Sequence, residues 1–451
     1  MTIAETKSHS LGEAESIWFK LTPLLKDPDN PMQMLLRMSE KYGGVIPINL
    51  KNQRLVFLSD VNHFRHVLVK NSGNYEKYFD GLIPIFGKSM ITIDGALWQK
   101  VRKPQHGAFH PKKFEEYFPY LLDAIGSKEN RWNTLAESGE VVEMVEETWT
   151  LACEMVCKAL FDREMPFNPH HIFGAVKAYT NVMNHKSIRL KKTAGELVEV
   201  ADEDAGKAME TWGSVPDMVL NADSIANRET TLLTMLENAE ANPDLPEFDH
   251  QQVVDEMKQY LWAGTETTAL TLAWCLYLLS THPEIKEKVR QEAIAVCGED
   301  ADPTWENIND MVYTRQVIQE TMRLYPPVWA LIRTAAEDDE IDGVQIRAGD
   351  NIVLCSYAVH HSSKFWDEPE KFDPDRFSKE NLKDHTKFAY VPFGAGKRVC
   401  IGGALSQIEN MMALAQLVRK FDAEYVGEVP AKISPTVTLT PKGLNFRIHK
   451  R

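Results

Sequence analysis

The sequence contains no hydrophobic run long enough to cross a lipid bilayer. Its longest apolar stretch, Leu270–Leu279, is far shorter than the roughly 20 residues of a spanning helix and predicts a buried helix instead. Residues 1–18 are polar and lack the apolar segment of a signal peptide or membrane anchor. We therefore expect a protein without a membrane span.

Cysteine is scarce, and its spacing indicates no disulfide framework. The six cysteines of the 451-residue chain stand at positions 153, 157, 275, 297, 355 and 400. Cys153 and Cys157 lie four residues apart on a predicted helix, but no His or Cys follows at the spacing of a zinc site, so we interpret both as core residues. Free thiols in a chain of this size are typical of a reducing compartment, and we expect a cytoplasmic protein.

The chain also lacks linkers and an excess of positive charge. No Pro-, Ser- or Gly-rich linker, low-complexity segment or internal repeat divides it, so we expect a polar tail over residues 1–18 and one large domain over residues 19–451. Lys and Arg number 50 against 65 Asp and Glu, which gives a net charge of −15. This acidic balance argues against a nucleic-acid partner, and we expect a monomer.

Hydrophobic periodicity predicts a mostly α protein with a small β region. The clearest element is a long helix that begins after the N-cap Asp249, has Gln252 in the capping-box position, and ends near His282. The pattern over residues 111–323 is almost entirely helical. The remaining predicted elements are helices over Pro31–Tyr42, Val61–Lys70 and Gly402–Phe421, and strands over Val45–Leu50, Arg54–Leu58, Asn351–Ser356, Thr436–Thr440 and Leu444–Ile448. Short strands are also predicted over Ile341–Ile346, around Asp342 and Gly343.

The most informative segment covers residues 392–403 and reads Pro-Phe-Gly-Ala-Gly-Lys-Arg-Val-Cys-Ile-Gly-Gly. A lone Cys400 between glycines and cations, close to an aromatic ring, is placed to bind a metal. Lys397 and Arg398 stabilise a thiolate, and the glycines let backbone N–H groups approach the sulfur. The alternative is a buried structural cysteine in a glycine-rich turn, because free Cys usually behaves as a small hydrophobic residue.

A second unusual segment occupies the middle of the long helix, where residues 263–268 read Ala-Gly-Thr-Glu-Thr-Thr. Glycine, an acid and adjacent hydroxyls are unfavourable in an apolar helix. Gly264 leaves room for a flat cofactor, Thr267 can bond back to a carbonyl group, and Glu266 can relay protons. A helix crossing that packs on the glycine, with satisfied hydroxyls, is the alternative.

Together these segments resemble the cytochrome P450 family. The family's haem-ligand loop has the spacing Phe-x-x-Gly-x-Arg-x-Cys-x-Gly, which is filled here by Phe393, Gly396, Arg398, Cys400 and Gly402. Residues 263–267 resemble its oxygen-binding groove, and the motifs follow the family's order over residues 31–451. The resemblance implies a cytochrome P450 fold, mostly α with a small β region, in which a single large domain carries a long central helix over the haem.

The resemblance also implies how haem b is held, with Cys400 as the axial thiolate ligand of the iron. Trp98 and Arg102 match a Trp-x-x-x-Arg segment that holds a haem propionate, since an indole N–H and an Arg fork both suit a carboxylate. Pro104 departs from the family pattern where the helix should continue, and predicts a kink. The implied haem contacts are Trp98, Arg102, Ala263, Gly264, Arg333, Pro392, Phe393, Gly396, Arg398 and Gly402.

The same resemblance assigns roles to further residues. Glu266 and Thr267 would deliver protons during dioxygen activation. The lock behind the Cys400 segment would contain Glu320 and Arg323, which share one helical face, together with Arg376. The positions matched to a substrate pocket are apolar, which suits an oily molecule, and include Phe86, Val328, Trp329 and Leu331. A cation run at residues 186–192 is interpreted as a solvated face.

The implied function is that of a haem-thiolate monooxygenase, which inserts one oxygen atom from dioxygen into a hydrophobic substrate by hydroxylating a fatty acid, terpenoid or similar molecule. Because no reductase segment follows the last predicted strands, we expect electrons from a separate ferredoxin or flavodoxin with its reductase. Residues 98–113 carry five cations and no acid, and with Lys387, Lys397 and Arg398 they predict its docking surface.

Three alternatives remain at this point. The first is a peroxygenase that uses hydrogen peroxide directly, against which the pair Glu266 and Thr267 argues. The second is a haem-binding sensor or carrier without oxygenase activity, and the third is a helical protein without haem.

Overall fold

The computed structural model of the protein describes residues 31–50, 53–77, 82–177, 203–435 and 437–451. The predicted tail and the cation run at residues 186–192 lie outside these ranges.

The α-helices are Pro31–Tyr42, Val61–Arg65, Ile83–Phe86, Gly95–Gln105, Pro111–Ser138, Met144–Phe161, Glu203–Leu220, Leu232–Glu240, His250–Thr281, Pro283–Cys297, Val312–Leu324, Ser356–His360 and Gly403–Lys420. The strands are Val45–Leu50, Gln53–Leu58, Tyr75–Lys77, Val141–Glu143, Leu331–Ala335, Asp339–Ile341, Val344–Ile346, Asn351–Leu354, Phe421–Tyr425, Ile433–Pro435, Leu439–Pro441 and Asn445–Lys450. These elements confirm the prediction of a mostly α protein with a small β region.

The chain forms two compact units. The first, which we call the β-rich unit, comprises Met1–Phe79, Met322–Cys400 and Lys432–Thr440. The second, which we call the helical unit, comprises Asp80–Thr321, Ile401–Ala431 and Pro441–Arg451.

A five-stranded sheet organises the β-rich unit. Its strand Gln53–Leu58 pairs antiparallel with Val45–Leu50 and parallel with Asn351–Leu354. Leu331–Ala335 then pairs antiparallel with Asn351–Leu354 on one side and with Tyr75–Lys77 on the other. Branched and aromatic side chains of these strands pack in the core of the unit, together with Val61 and Phe64 of helix Val61–Arg65.

The short strands predicted over Ile341–Ile346, around Asp342 and Gly343, form a hairpin within the β-rich unit. Asp339–Ile341 pairs antiparallel with Val344–Ile346. The two residues between them, Asp342 and Gly343, both have positive φ, at 49° and 75°. An Asp-Gly pair in this conformation forms a tight two-residue turn, which explains why the chain reverses there.

The helical unit is built around the long helix, His250–Thr281. Asp249 caps its N-terminus by accepting a hydrogen bond from the backbone N–H of Gln252 at 2.9 Å. The Gln252 side chain does not complete the predicted capping box, because its Nε2 donates to Lys88 O and to Glu256. The long helix packs on Met144–Phe161 and on Gly403–Lys420. Within the described ranges, no helix combines the length and the apolar character that crossing a membrane requires.

Two predicted helices differ locally from expectation. The predicted helix over Val61–Lys70 is α-helical only over Val61–Arg65 and continues as a π-helix over His66–Lys70. Pro104 lies inside the helix Gly95–Gln105, which gives way to a 3₁₀ turn directly after it. Because proline has no N–H, the carbonyl of Lys100 lacks its usual partner within the helix, and the α-helix ends one residue after Pro104.

Candidate functional site

Cys400 lies at the end of a glycine-rich loop in the β-rich unit. We call residues 392–400 the Cys400 loop. The backbone N–H of Cys400 donates to the carbonyl oxygen of Phe393 at 3.0 Å, and that of Val399 donates to Gly396 at 3.1 Å. The loop thereby folds back on itself and leaves Cys400 exposed, whereas Cys297 is half-buried and the other four cysteines are buried. Cys400 is therefore not a buried structural cysteine, and its thiol is accessible to a ligand.

Glycine is required in this loop for two different reasons. Gly394 and Gly396 both have positive φ, at 70° and 72°. A Cβ atom at Gly396 would also lie 2.1 Å from the carbonyl oxygen of Leu68, whereas one at Gly394 would lie 3.5 Å from Leu331 Cδ1. Gly396 therefore permits the Cys400 loop to approach the π-helix backbone. The predicted haem contacts Pro392 and Phe393, beside these glycines, are half-buried.

Arg398 is anchored to the backbone of the same unit. Its Nη1 donates to the carbonyl oxygen of Ser72 at 3.1 Å and to that of Tyr75 at 2.9 Å. Arg333, on a strand that pairs with Tyr75–Lys77, is buried and donates from Nη1 to Ile332 O at 2.8 Å. Both predicted propionate contacts are thus held by the backbone around one short strand.

A carboxylate fixes the strand that holds Arg398. Asp339 Oδ2 accepts hydrogen bonds from Tyr75 OH at 2.6 Å and from Asn71 Nδ2 at 2.9 Å, and lies 2.7 Å from His66 Nε2. Partial burial raises the pKa of Asp339, but the hydrogen bonds from its neighbours outweigh burial and lower it to about 2. Sequence reasoning missed Asp339, because nothing in its local pattern shows that these donors converge on it.

The middle of the long helix has an opening in its buried surface. Residues 255–279 of this helix are buried except at Lys258, Ala263, Gly264 and Thr267. Ala263 and Thr267 are one turn apart and therefore share a face with each other. The predicted oxygen-binding segment is thus the place where the helix presents uncovered backbone and small side chains, which suits the approach of a flat group.

Hydrogen bonds and packing within this segment agree with its sequence. Thr267 Oγ1 donates to the carbonyl oxygen of Ala263 at 2.8 Å, as predicted. Gly264 also lies against helix Met144–Phe161, because a Cβ atom there would be 3.0 Å from Val156 Cγ2. The predicted helix crossing on glycine is therefore present together with the opening. Glu266 is buried at 8% exposure.

Trp98 and Arg102 lie together on helix Gly95–Gln105 of the helical unit. The Arg102 guanidinium carbon is 5.1 Å from the centre of the Trp98 ring, a cation–π distance. Trp98 is buried and Arg102 is half-buried. The cation–π contact restrains the Arg102 guanidinium beside the indole, which suits a carboxylate-binding group.

The predicted basic segment is partly paired with acids from elsewhere in the helical unit. Lys100 forms an ion pair with Glu247, and Lys113 forms one with Glu116 at 2.6 Å. Lys103 and Lys112 form no ion pair with any residue that the structure describes. The uncompensated positive charge of residues 98–113 is therefore smaller than the composition of the segment predicts.

A buried acid near the opening was also missed by sequence reasoning. Glu409, on helix Gly403–Lys420, accepts from Thr268 Oγ1 at 3.2 Å, and Ser406 Oγ lies 3.1 Å from the same hydroxyl. Burial raises the pKa of Glu409 to about 7, since its one hydrogen bond from Thr268 compensates only in part. Gly402, a predicted haem contact, is half-buried directly before this helix.

Two of the three residues of the predicted structural lock are fully buried, and the third, Arg376, is half-buried. Glu320 and Arg323 are both 0% exposed. Arg323 Nη1 donates to His360 O at 2.8 Å and to Pro369 O at 2.7 Å, while Arg376 Nη2 donates to Glu368 O at 2.7 Å. Both arginines thus tie the backbone of residues 360–371, as a structural role requires.

The predicted substrate residues differ in their surroundings. Phe86 is buried and packs edge-to-face on Trp262, with ring centres 5.5 Å apart. Val328, Trp329 and Leu331, in the β-rich unit, are half-buried.

The predicted site residues form two sets, one in each unit. The β-rich unit holds Arg323, Val328, Trp329, Leu331, Arg333, Arg376, Pro392, Phe393, Gly396, Arg398 and Cys400. The helical unit holds Phe86, Trp98, Arg102, Ala263, Gly264, Glu266, Thr267, Glu320 and Gly402.

Comparison with known proteins supplies the family. The family description "Cytochrome P450" matches residues 12–448. The chain belongs to the cytochrome P450 family. This P450 is therefore an oxidoreductase of a family that binds haem through a cysteine thiolate and acts in general as a haem-thiolate monooxygenase. Within the β-rich unit, the exposed Cys400 fits a thiolate ligand of haem. Within the helical unit, the opening on the long helix fits a flat group.

Individual relatives are similar over most of the P450 chain. It is 28% identical to LUTEIN DEFICIENT 5 of Arabidopsis thaliana, over 91% of this chain and 72% of that protein. It is 28% identical to thromboxane-A synthase of Rattus norvegicus, over 92% of this chain and 87% of that protein. It is 27% identical to cyclooctat-9-en-7-ol 5-monooxygenase of Streptomyces melanosporofaciens, over 87% of this chain and 84% of that protein.

Solved structures confirm the predicted P450 fold. The crystal structure of a cytochrome P450 named CYP102L1 matches with a TM-score of 0.82 at 22% identity, over 94% of this chain and 99% of that chain. The haem domain of cytochrome P450DA matches with a TM-score of 0.81 at 22% identity, over 94% and 93%.

Proposed function

We propose that this P450 hydroxylates a hydrophobic molecule of the fatty-acid or terpenoid class, with electrons from a separate acidic ferredoxin or flavodoxin. The observation that carries the proposal is the exposed Cys400 at the end of a loop in which a side chain at Gly396 would clash with the Leu68 backbone. Cys400 is the axial ligand, and we place the protein in the cytoplasm as a monomer. The lack of disulfide bonds among the described cysteines supports the cytoplasm.

Haem bound through a thiolate supplies the dioxygen chemistry, because the sulfur donates electron density that favours O–O cleavage. The protein's own residues hold and move protons. The Thr267 hydroxyl donates its proton in a hydrogen bond to Ala263 O, and Glu266 is the preceding residue on the same helix. The hydroxyl can turn from the carbonyl to a reacting oxygen, and the carboxyl can replace the proton.

Four residues are proposed to hold the propionates. Arg102 is restrained by its cation–π contact with Trp98, and Arg398 is oriented by two backbone carbonyls. Arg333 is buried on its strand. Cations fixed in this way lose little side-chain entropy when a carboxylate binds.

The cations Lys103 and Lys112 support an acidic redox partner, since neither is neutralised by a described acid. Reversal of both charges, Lys103→Glu with Lys112→Glu, is expected to slow reduction by the ferredoxin at low salt about tenfold or more, and less at high salt. The control variant reverses the charges of Lys442 and Lys450, which are also exposed. Equal reduction rates in both double variants would reject the docking surface while leaving the monooxygenase standing.

The substrate class is supported by apolar residues and by one relative. Phe86, Val328, Trp329 and Leu331 offer no charge to a substrate. The Streptomyces relative is named for a monooxygenase that acts on cyclooctat-9-en-7-ol. Apolar side chains of this kind suit a long-chain or terpenoid molecule.

The experiment is a visible-spectrum titration of the ferric protein with fatty acids, terpenoids and small aromatics. A saturable shift from low to high spin with one of the first two classes supports the proposal. A shift with small aromatics alone contradicts the substrate class. Turnover with hydrogen peroxide, but none with ferredoxin and its reductase, would favour the peroxygenase instead.

A further inference from the structure

A second buried acid on the long helix, Glu256, is surrounded by hydrogen-bond donors. Its side chain is 0% exposed. Oε1 accepts from the backbone N–H of Met90 at 2.7 Å and from Gln252 Nε2 at 2.8 Å. Oε2 accepts from Gln105 Nε2 at 3.0 Å and, more weakly, from Gln259 Nε2 at 3.4 Å. The proposed oxygen chemistry makes no use of this acid.

Two of these amides are fixed by bonds to a neighbouring loop, residues 87–92, which we call the 87–92 loop. Gln259 Oε1 accepts from the backbone N–H of Ile91 at 2.6 Å. Gln252 Nε2 also donates to Lys88 O at 2.9 Å. Neither amide can turn its oxygen toward Glu256 without losing the bond to the loop.

The third amide is fixed within helix Gly95–Gln105 and by the long helix. Gln105 Nε2 also donates to Val101 O at 2.8 Å, and its Oε1 accepts from Tyr260 OH at 2.6 Å. Every group around Glu256 therefore presents an N–H, and only a side chain with two accepting oxygens satisfies all of them. Leaving such donors unsatisfied in the interior is costly.

Neighbouring contacts show that the 87–92 loop is closely fitted to the long helix. Asp255 Oδ2 accepts from the backbone N–H of Lys88 at 2.8 Å. A Cβ atom at Gly87, where φ is 59°, would lie 2.0 Å from the Asp255 carboxyl carbon. The loop backbone thus touches carboxyl and amide groups along two turns of the helix.

The elements that meet at Glu256 carry site residues of the helical unit. The 87–92 loop directly follows Phe86, which packs on Trp262 of the long helix. Helix Gly95–Gln105 carries Trp98 and Arg102. Burial raises the pKa of Glu256 and so disfavours the carboxylate, whereas the N–H donors around it favour that ionised form. An apolar residue at this position would avoid the cost of burying a charge but would leave these donors without an acceptor. The carboxyl group therefore joins the 87–92 loop and helix Gly95–Gln105 to the long helix.

We infer that Glu256 is a positioning residue, whose carboxyl docks the 87–92 loop and the end of helix Gly95–Gln105 on the long helix and thereby sets the position of Phe86 and of the Trp98–Arg102 pair. Its effect on substrate binding rests on the proposed function, whereas the docking itself does not.

The test is Glu256→Gln, which keeps the shape of the side chain but directs an NH₂ group at two donors. Hydrogen exchange, followed by mass spectrometry on the haem-loaded protein, is expected to rise on the order of tenfold at residues 88–92 and 101–105, because buried bonds are lost. Exchange at residues 403–420 is expected to stay unchanged. Glu409→Gln removes a comparable buried acid elsewhere and should leave the 87–92 loop as in the wild type.

A second readout separates positioning from general destabilisation. In the spin-shift titration, Glu256→Gln should raise the apparent substrate dissociation constant several-fold while the thiolate–haem spectrum is retained. Unchanged exchange in the 87–92 loop, or an equal rise throughout the helical unit, overturns the inference.

If Glu256→Gln does not fold, Gln259→Met removes the acceptor of the Ile91 N–H and leaves Glu256 in place. Faster exchange at residue 91 then supports the docking, and unchanged exchange overturns it. Failure of the proposed function is distinguishable, because it would appear in the wild type as a missing thiolate–haem spectrum or missing turnover, whatever the exchange shows.

Discussion

The hydroxyl of Thr267 donates to the carbonyl oxygen of Ala263 at 2.8 Å, within the stretch of the long helix where Ala263, Gly264 and Thr267 interrupt the buried surface. Thr271 makes the same type of bond one turn later, to Thr267 O at 2.9 Å, but is buried. Two threonines with the same local bond thus differ in whether their surroundings leave them accessible.

This difference gives a matched pair of variants. Thr267→Val is expected to lower product formation per NAD(P)H consumed on the order of tenfold to a hundredfold, because a positioned proton donor is lost. Thr271→Val loses a back-bond of the same kind and should keep near wild-type coupling. Product and NAD(P)H are measured together, and equal coupling in the two variants would contradict the proposed role of Thr267.

A second pair tests the Cys400 loop. Gly394→Ala meets only the strain of a positive φ, whereas Gly396→Ala also meets the Leu68 carbonyl oxygen at 2.1 Å. We expect Gly394→Ala to cost about 1 kcal/mol of unfolding free energy and Gly396→Ala clearly more, with loss of bound haem. Urea unfolding and haem content are the measurements. A Gly396→Ala protein as stable and as haem-rich as Gly394→Ala would refute the packing of the loop on Leu68.

The Asp339 cluster predicts a pH dependence. The folded pKa of about 2 lies below the usual 3.8, so ionisation favours the folded state above pH 4 and this contribution is lost as the pH falls toward 2. The cluster thus contributes about 2 kcal/mol at neutral pH, of which about half is gone by pH 3. The difference in unfolding free energy between wild type and Asp339→Ala, measured with urea, should become smaller as the pH falls from neutral to 3. A gap that is constant from pH 6 to pH 3 would contradict the assignment.

Glu409 predicts a change of stability with pH in the opposite direction. Its folded pKa of about 7 lies above the usual 4.5, so the folded state retains the proton and loses stability as the pH rises from 4.5 to 7. Glu409→Gln removes this titration, and its stability relative to the wild type should increase by about 3 kcal/mol between pH 4 and pH 8. The comparison of unfolding curves at both pH values checks this, and a difference independent of pH would rule it out.

Features that depend on local chemistry could be predicted from the sequence. The N-cap at Asp249, the turn at Asp342 and Gly343, and the back-bond of Thr267 all follow from what those residue types do with neighbouring backbone. The family resemblance of the Cys400 loop supplied the fold, because the loop's spacing is specific.

Features that depend on tertiary packing could not be predicted. Glu256, Asp339 and Glu409 are ordinary acids in the sequence, and only the folded chain shows which donors surround them. The pairing of Lys100 with Glu247 reduced the predicted basic patch for the same reason, since these residues are distant in sequence. The π-helix over His66–Lys70 has no signal in a periodicity that also suits an α-helix.

The central claim is that Cys400 is the thiolate ligand of the haem, and its most direct test is the absorption spectrum of the reduced protein with carbon monoxide. Wild type and the control Cys297→Ser, which removes a half-buried thiol, should both show the band of a thiolate-ligated haem. Cys400→Ser should lose that band even when haem is supplied. Retention of the thiolate band in Cys400→Ser would contradict the account.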